Sequence, residues 1–121
     1  MTTSTDPARR GAIAPERAQD GPVTLINSFV VPEGREAAFH ALWTTTSSYF
    51  RAQPGFVSLR LHRALTPGAQ YRFINVANWA SGAQFNAPHA TAEFRALVSD
   101  PQWREFPSHP ALYEVMTEVV R

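Results

Sequence analysis

The chain has 121 residues, 44% of them apolar, enough for one domain with a real core and little beyond it. It contains no cysteine, which excludes disulfides, thiolate metal sites and a cysteine nucleophile. The net charge is +1, all eleven basic residues are scattered arginines, and no apolar run approaches the roughly 18 residues of a membrane span, so neither a nucleic-acid stripe nor a spanning helix is expected.

Residues 1–21, "MTTSTDPARRGAIAPERAQDG", are small, polar and punctuated by Pro and Gly, and predict a disordered N-terminal arm without the apolar stretch of a secretory signal. A cytoplasmic protein is expected. "VTLINSFVV" (23–31) predicts a strand. "GREAAFHALWTTTSSYFRAQ" puts Phe39, Leu42, Trp43, Thr46 and Phe50 at helical spacing, and Pro54-Gly55 ends that helix. "FVSLRLHRAL" (56–65) and "YRFINVANWA" (71–80) predict a hairpin about Pro67-Gly68.

Ser81 followed by Gln84 forms a capping box that opens a second helical region, interrupted at Pro88 and running to Val98. "PQWREFPSHP" predicts an irregular or single-turn segment, and "ALYEVMTEVV" (111–120) the last strand. The order β-α-β-β-α-β predicts an α+β, ferredoxin-like domain over 22–121, with a four-stranded antiparallel sheet and both helices on one face. Ile26, Val30, Val57, Leu59, Leu61, Ile74 and Val76 are expected on the other face. Two helices cannot cover both faces, so a homodimer packed sheet to sheet is expected.

"FINVANWAS" (73–81) interrupts an apolar strand with two asparagines. Side chains two apart share a face, which groups Tyr71, Phe73, Asn75, Ala77 and Trp79, and in the first strand Leu25, Asn27 and Phe29. The first and third strands are central neighbours in this fold, so Asn27 and Asn75 are expected close together. A turn centred between Pro67 and Gly68 would set His62 opposite Phe73 and add it to that face; a register change of one would remove it. Asn27, His62, Asn75 and Trp79 among Phe29, Phe73 and Tyr71 describe a small-molecule pocket. Each of the four alone also has a structural explanation, as a satisfied core amide, a core indole or a surface histidine.

"FVVPEGREAAF", "QPGFVSLRLHRAL", "FINVANWAS" and "AEFRAL" resemble the antibiotic biosynthesis monooxygenase family across nearly all of 22–121. The resemblance implies the dimeric α+β barrel. Its anthrone and quinol monooxygenase branch implies a site at His62, Asn75, Trp79 and Arg95, with Phe85 where that branch has a tyrosine. Its haem-degrading branch implies Asn27, Trp79 and His89, the last as iron ligand. His89 and Arg95 are six residues apart, about 600° of helix rotation, so their directions differ by about 120° and the two are not expected both to point squarely into one pocket.

Cofactor-free oxidation by dioxygen needs an electron-rich anion, a base, donors for the oxyanion and a dry aromatic slot. In the first branch His62 is the expected base, Asn75 and Arg95 the oxyanion donors, and Trp79 the ring holder. Asn27, Phe29, Phe73, Phe85 and His89 are expected to bind a small aromatic substrate, with no metal and no cofactor. The alternatives are haem held by His89 and a non-catalytic ligand-binding dimer. His40 and His109 look structural or exposed, and "TTTSS" (44–48) lacks a base nearby in sequence.

Overall fold

The computed structural model describes residues 13–121. Four antiparallel strands, β1 (Val23–Phe29), β2 (Phe56–Arg63), β3 (Phe73–Trp79) and β4 (Ser108–Tyr113), form one sheet in the order β2-β3-β1-β4. The helices are α1 (Glu36–Arg51), α2 (Gly82–Asn86) and α3 (Ala92–Val98), with 3-10 turns at Ala87–Ala90 and Pro101–Glu105. This is the expected ferredoxin-like arrangement, with β1 and β3 at the centre. Two apolar clusters lie between sheet and helices. One joins Phe29, Val31, Phe39, Phe73 and Phe106; the other joins Val23, Ala77, Trp79 and Phe85.

The second helical region divides into a short and a longer piece as the sequence indicates, but the chain turns extended at Thr91, three residues after Pro88. Ser81 Oγ accepts from the Gln84 backbone N–H at 3.1 Å and caps α2. After the turn containing Pro88, Thr91 is extended (φ −91°, ψ 155°) and caps α3 by accepting from the Phe94 N–H at 3.0 Å. α2 and α3 are therefore separate helices, each free to take its own direction.

Four expectations change. Residues 1–12 of the predicted arm lie outside the described residues, but 13–21 are folded onto the domain: a 3-10 turn at Glu16–Ala18 packs there, and Ala14 is 3% exposed. The hairpin turn centres on Gly68 (φ +74°), not between Pro67 and Gly68, so His62 pairs with Ile74 and Leu61 with Asn75. That one-residue difference turns His62 to the outer face and brings Leu61 inward; Leu59, opposite Ala77, is inward as well. A bulge between Phe56 and Ser58 restores the inward direction for Phe56, opposite Trp79.

The last strand begins at Ser108, within the segment expected to be irregular, and ends at Tyr113. Pro110 sits inside it opposite Asn27. β4 is an edge strand, where a residue without an N–H is tolerated on the open side. The outer face of the sheet is consequently more polar than expected. Ile26, Ile74, Val76 and Ala111 form an apolar centre, and β2 borders it with Ser58, Arg60 and His62 instead of leucines.

Candidate active site

On the helix side of the sheet, β1 and β3 present Val23 with Trp79, Leu25 with Ala77, Asn27 with Asn75 and Phe29 with Phe73 as directly opposed pairs. Adjacent strands are ~4.8 Å apart, so the two carboxamides stand side by side on the floor of the space under the helices. That space is a cavity of about 660 Å³, walled mostly by aromatic and aliphatic side chains.

Both asparagines line it. Asn75 is 8% exposed, and the side-chain oxygens of Asn27 and Asn75 are buried without a hydrogen-bond partner among the described residues. A buried polar group left unpaired costs ~1–3 kcal/mol. Rotation about the last side-chain bond exchanges the two ends of each carboxamide, so each offers the cavity an NH2 donor or an oxygen acceptor.

Trp79 closes one end. It is 3% exposed, and its indole meets Phe50, Phe56 and Phe85 edge-on with ring centroids 6.1, 5.5 and 5.8 Å away. Three perpendicular contacts leave the ring one orientation. Phe85 is fully buried behind it.

His89 lies in the turn after α2. Its Nδ1 is 2.7 Å from the Phe85 carbonyl oxygen, so Nδ1 carries the proton and donates it there. Nε2 is left with its lone pair. The imidazole packs against Phe85, Phe94 and Phe50, with centroids 4.4, 4.9 and 5.0 Å away. Burial pushes its pKa below the ordinary 6.5, against a smaller upward pull from the Phe85 carbonyl. His89 is therefore neutral at pH 7. Its turn is pinned from α1: the Tyr49 hydroxyl donates to the Pro88 carbonyl at 2.7 Å and lies 2.6 Å from Thr91 Oγ1.

Arg95 lines the cavity from α3, exposed toward solvent, with Nη1 donating to the Ala90 carbonyl at 3.2 Å. His89 and Arg95 thus share one cavity, against expectation, because the extended Thr91 between them ends one helix and starts another.

Other expected site residues divide. Asn27, Phe29, Asn75, Trp79 and Phe85 line the cavity as read. His62 does not: it is exposed on the opposite face, with Nδ1 3.3 Å from the Ile74 carbonyl oxygen. Phe73 belongs to the core, stacked on Phe39 at 4.8 Å, and Tyr71 packs against His109 at 5.4 Å. Trp43 and Trp103 are further walls of the cavity that were not expected from the sequence. Trp43 carried a signal, its place on the apolar stripe of α1. Trp103 carried none, lying in a proline-flanked turn without periodicity. Thr46 and Ser47 also line the cavity, but their hydroxyls donate back to the Leu42 and Thr44 carbonyls, as expected of helical hydroxyls rather than nucleophiles.

Residues 22–100 match the family profile described as antibiotic biosynthesis monooxygenase. The chain belongs to the antibiotic biosynthesis monooxygenase family. This monooxygenase is 36% identical over 95 residues to the deoxynogalonate monooxygenase of Streptomyces nogalater, a match covering 69% of this chain and 77% of that protein. A Shewanella loihica protein described as a candidate monooxygenase superposes with a TM-score of 0.70 at 35% identity, covering 81% of this chain and 97% of the other. SnoaB from Streptomyces nogalater, a cofactor-independent oxygenase, superposes with a TM-score of 0.70 at 25% identity, covering 84% and 99%. An oxidoreductase of the monooxygenase type, with the ferredoxin-like fold of its relatives, is the result. No helix among the described residues is long and apolar enough to cross a membrane.

Proposed function

We propose that this monooxygenase oxidises an electron-rich polycyclic phenol, anthrone or hydroquinone with dioxygen and without a resident cofactor. The observation that carries the reading is the pair of opposed, unpartnered carboxamides of Asn27 and Asn75 on the floor of an aromatic cavity. An enolate or phenolate oxygen set over them would receive two NH2 donors in a site with few other polar groups, where such bonds are strong. Arg95 adds a positive charge at the mouth. Trp79, held by its three phenylalanines, is the plate against which the ring lies.

The base is His89 in place of His62, whose side chain is on the other side of the sheet. Its Nε2 takes the substrate proton while Nδ1 stays bonded to the Phe85 carbonyl, and a half-buried, neutral imidazole is in the accepting form at pH 7. The anion passes one electron to dioxygen; recombination of the two radicals forms a C–O bond, and the resulting peroxide anion takes the proton back from His89 to give a hydroperoxide at the ring carbon. Loss of water then turns a ring CH2 into a carbonyl, one oxygen atom staying in the product and the other leaving as water. Phe85 supplies packing where the resemblance implies a tyrosine, so no hydroxyl from that position takes part.

In the haem alternative His89 would be the residue to hold the iron. A haem brings two carboxylates, whereas Arg95 is the one arginine among the cavity's lining residues. The donor set fits a single organic anion, not haem. The outer apolar centre of Ile26, Ile74, Val76 and Ala111 supports a homodimer joined sheet to sheet.

The test is oxygen uptake with 1,8-dihydroxyanthrone, with product formation followed by absorbance. Asn75→Ala and Trp79→Phe are expected to lower kcat/KM by ~10²-fold or more, the usual loss for a missing oxyanion donor or ring-positioning group. Unchanged uptake in both variants would refute the assignment.

A further inference from the structure

Residues 13–21 precede the segment that matches the family profile, which begins at residue 22, yet they are docked on the domain and place Ile13 in the cavity wall. The attachment is specific. Asn86 Oδ1 accepts from the Ala14 N–H at 2.8 Å, and Asn86 Nδ2 donates to the Ala14 carbonyl at 3.2 Å. One side-chain amide thus pairs with both backbone groups of one residue, as a neighbouring strand would. Gln19 Nε2 donates to the same carbonyl at 3.1 Å. The Gly82 and Ala83 N–H groups, orphan donors at the start of α2, donate to the Gly21 and Gln19 carbonyls at 3.2 and 3.1 Å.

The approach is close enough to require glycine. A Cβ at Gly82 would lie 2.3 Å from the Ala18 carbonyl oxygen and 2.8 Å from Ala14 Cβ. Ala18 packs on the cluster of Val23, Ala77, Trp79 and Phe85, so the segment lies at the Trp79 end of the cavity. Ile13, next to the clamped Ala14, is 61% exposed and lines the cavity at its opening.

We propose that residues 13–21 form a fixed strap that determines substrate size, with Ile13 as the contact for the outermost ring of a three-ring substrate and Asn86 as the positioning residue that holds Ile13 there. Ile13, 61% exposed in the same cavity as the asparagine floor, retains apolar surface for a ligand to cover. On this proposal a three-ring ligand seated on that floor covers it and a two-ring ligand does not. The strap therefore rewards the third ring and leaves binding of smaller rings unaffected. The proposal rests on the aromatic-substrate reading but not on turnover.

The experiment is quenching of tryptophan fluorescence by 1,8-dihydroxyanthraquinone and by 5-hydroxy-1,4-naphthoquinone, ring systems of three and two rings. Wild type is compared with Ile13→Ala, Asn86→Ala and Gly82→Ala, each at full chain length. The three-ring compound is expected to bind about fivefold more weakly in each variant and the two-ring compound with unchanged Kd, the loss expected for part of an isoleucine contact. Ile13→Ala alters only a largely exposed side chain, so it keeps the test valid if either clamp variant folds poorly. In Asn86→Asp, which retains the acceptor for the Ala14 N–H, part of the loss should be recovered.

An unchanged ratio in Ile13→Ala, equal weakening of both compounds, or no quenching of wild type by either would overturn the strap. Selective weakening with no oxygen uptake on any anthrone would instead leave the strap standing and sink the oxygenase reading.

Discussion

Replacing Asn75 by leucine should make the protein more stable while removing its activity. The Asn75 carboxamide is almost fully buried, its oxygen lacks a partner, and its neighbours across the sheet are Asn27 and Leu61. Leucine has nearly the same size and no group to desolvate. Relieving an unpaired buried amide is worth ~1–3 kcal/mol, from which some loss of fit against Asn27 must be subtracted. A net gain of ~1–2 kcal/mol would raise Tm by about 4–8 °C for a domain of this size. Activity should move the other way, by ~10²–10³ in kcat, if the amide is a donor to the developing oxyanion.

Calorimetry at a fixed protein concentration gives the first number, since association would make Tm depend on concentration. Oxygen uptake on 1,8-dihydroxyanthrone gives the second. A Tm lowered by several degrees, with activity kept, would refute the reasoning: Asn75 would then be a structural amide satisfied within the fold. The opposite signs are the signature of a polar group retained for chemistry at a cost in stability.

His89→Gln should abolish the acid limb of the rate profile. In wild type, kcat/KM should fall as pH drops through the pKa of His89, which burial holds below 6.5, and a profile unaffected by the substitution would remove His89 as base. The same shift bears on stability: the folded pKa is lower than the unfolded one, so the unfolded chain binds the extra proton. Stability should be full above pH 6.5 and decline as pH falls toward the folded pKa, read from urea midpoints of wild type against His89→Gln. Tyr49→Phe removes the donor to the Pro88 carbonyl and should cost ~1 kcal/mol, with a lower kcat because the His89 turn loses its anchor; an unchanged pH profile and kcat would deny that anchor a role. Val76→Arg places a second guanidinium beside Arg60 in the apolar centre of the outer face and should convert a dimer to a folded monomer by sedimentation, whereas a wild-type protein that is already monomeric would discard the sheet-to-sheet dimer. A haemin titration should show no one-to-one Soret band that His89→Ala abolishes; such a band would revive the haem alternative.

Much of the site was legible because it depends on short-range rules. Alternation along two strands and the strand order of the fold suffice to set Asn27 beside Asn75 and Trp79 on the same side. The cap at Ser81, the division of the second helical region into two pieces and the apolar stripe of α1 are likewise local, and each appears in the structure. The chain by itself therefore determined the fold class, the family and the amide–indole floor of the cavity.

Tertiary structure decided what depends on a single residue of register or on contacts between distant segments. The face of His62 turns on whether a hairpin centres on Gly68 or half a residue before it. That choice is made by the pairing of eight residues of β2 with β3, bulge included, not by the turn sequence alone. His89 and Arg95 converge because Thr91 is extended, so that α3 takes its own direction, with Phe94 packed against Tyr49 and Phe50 of α1. The strap is held by an asparagine 72 positions away. Periodicity carries no information about such a bond, because its stabilisation appears only after both segments have docked on the same core.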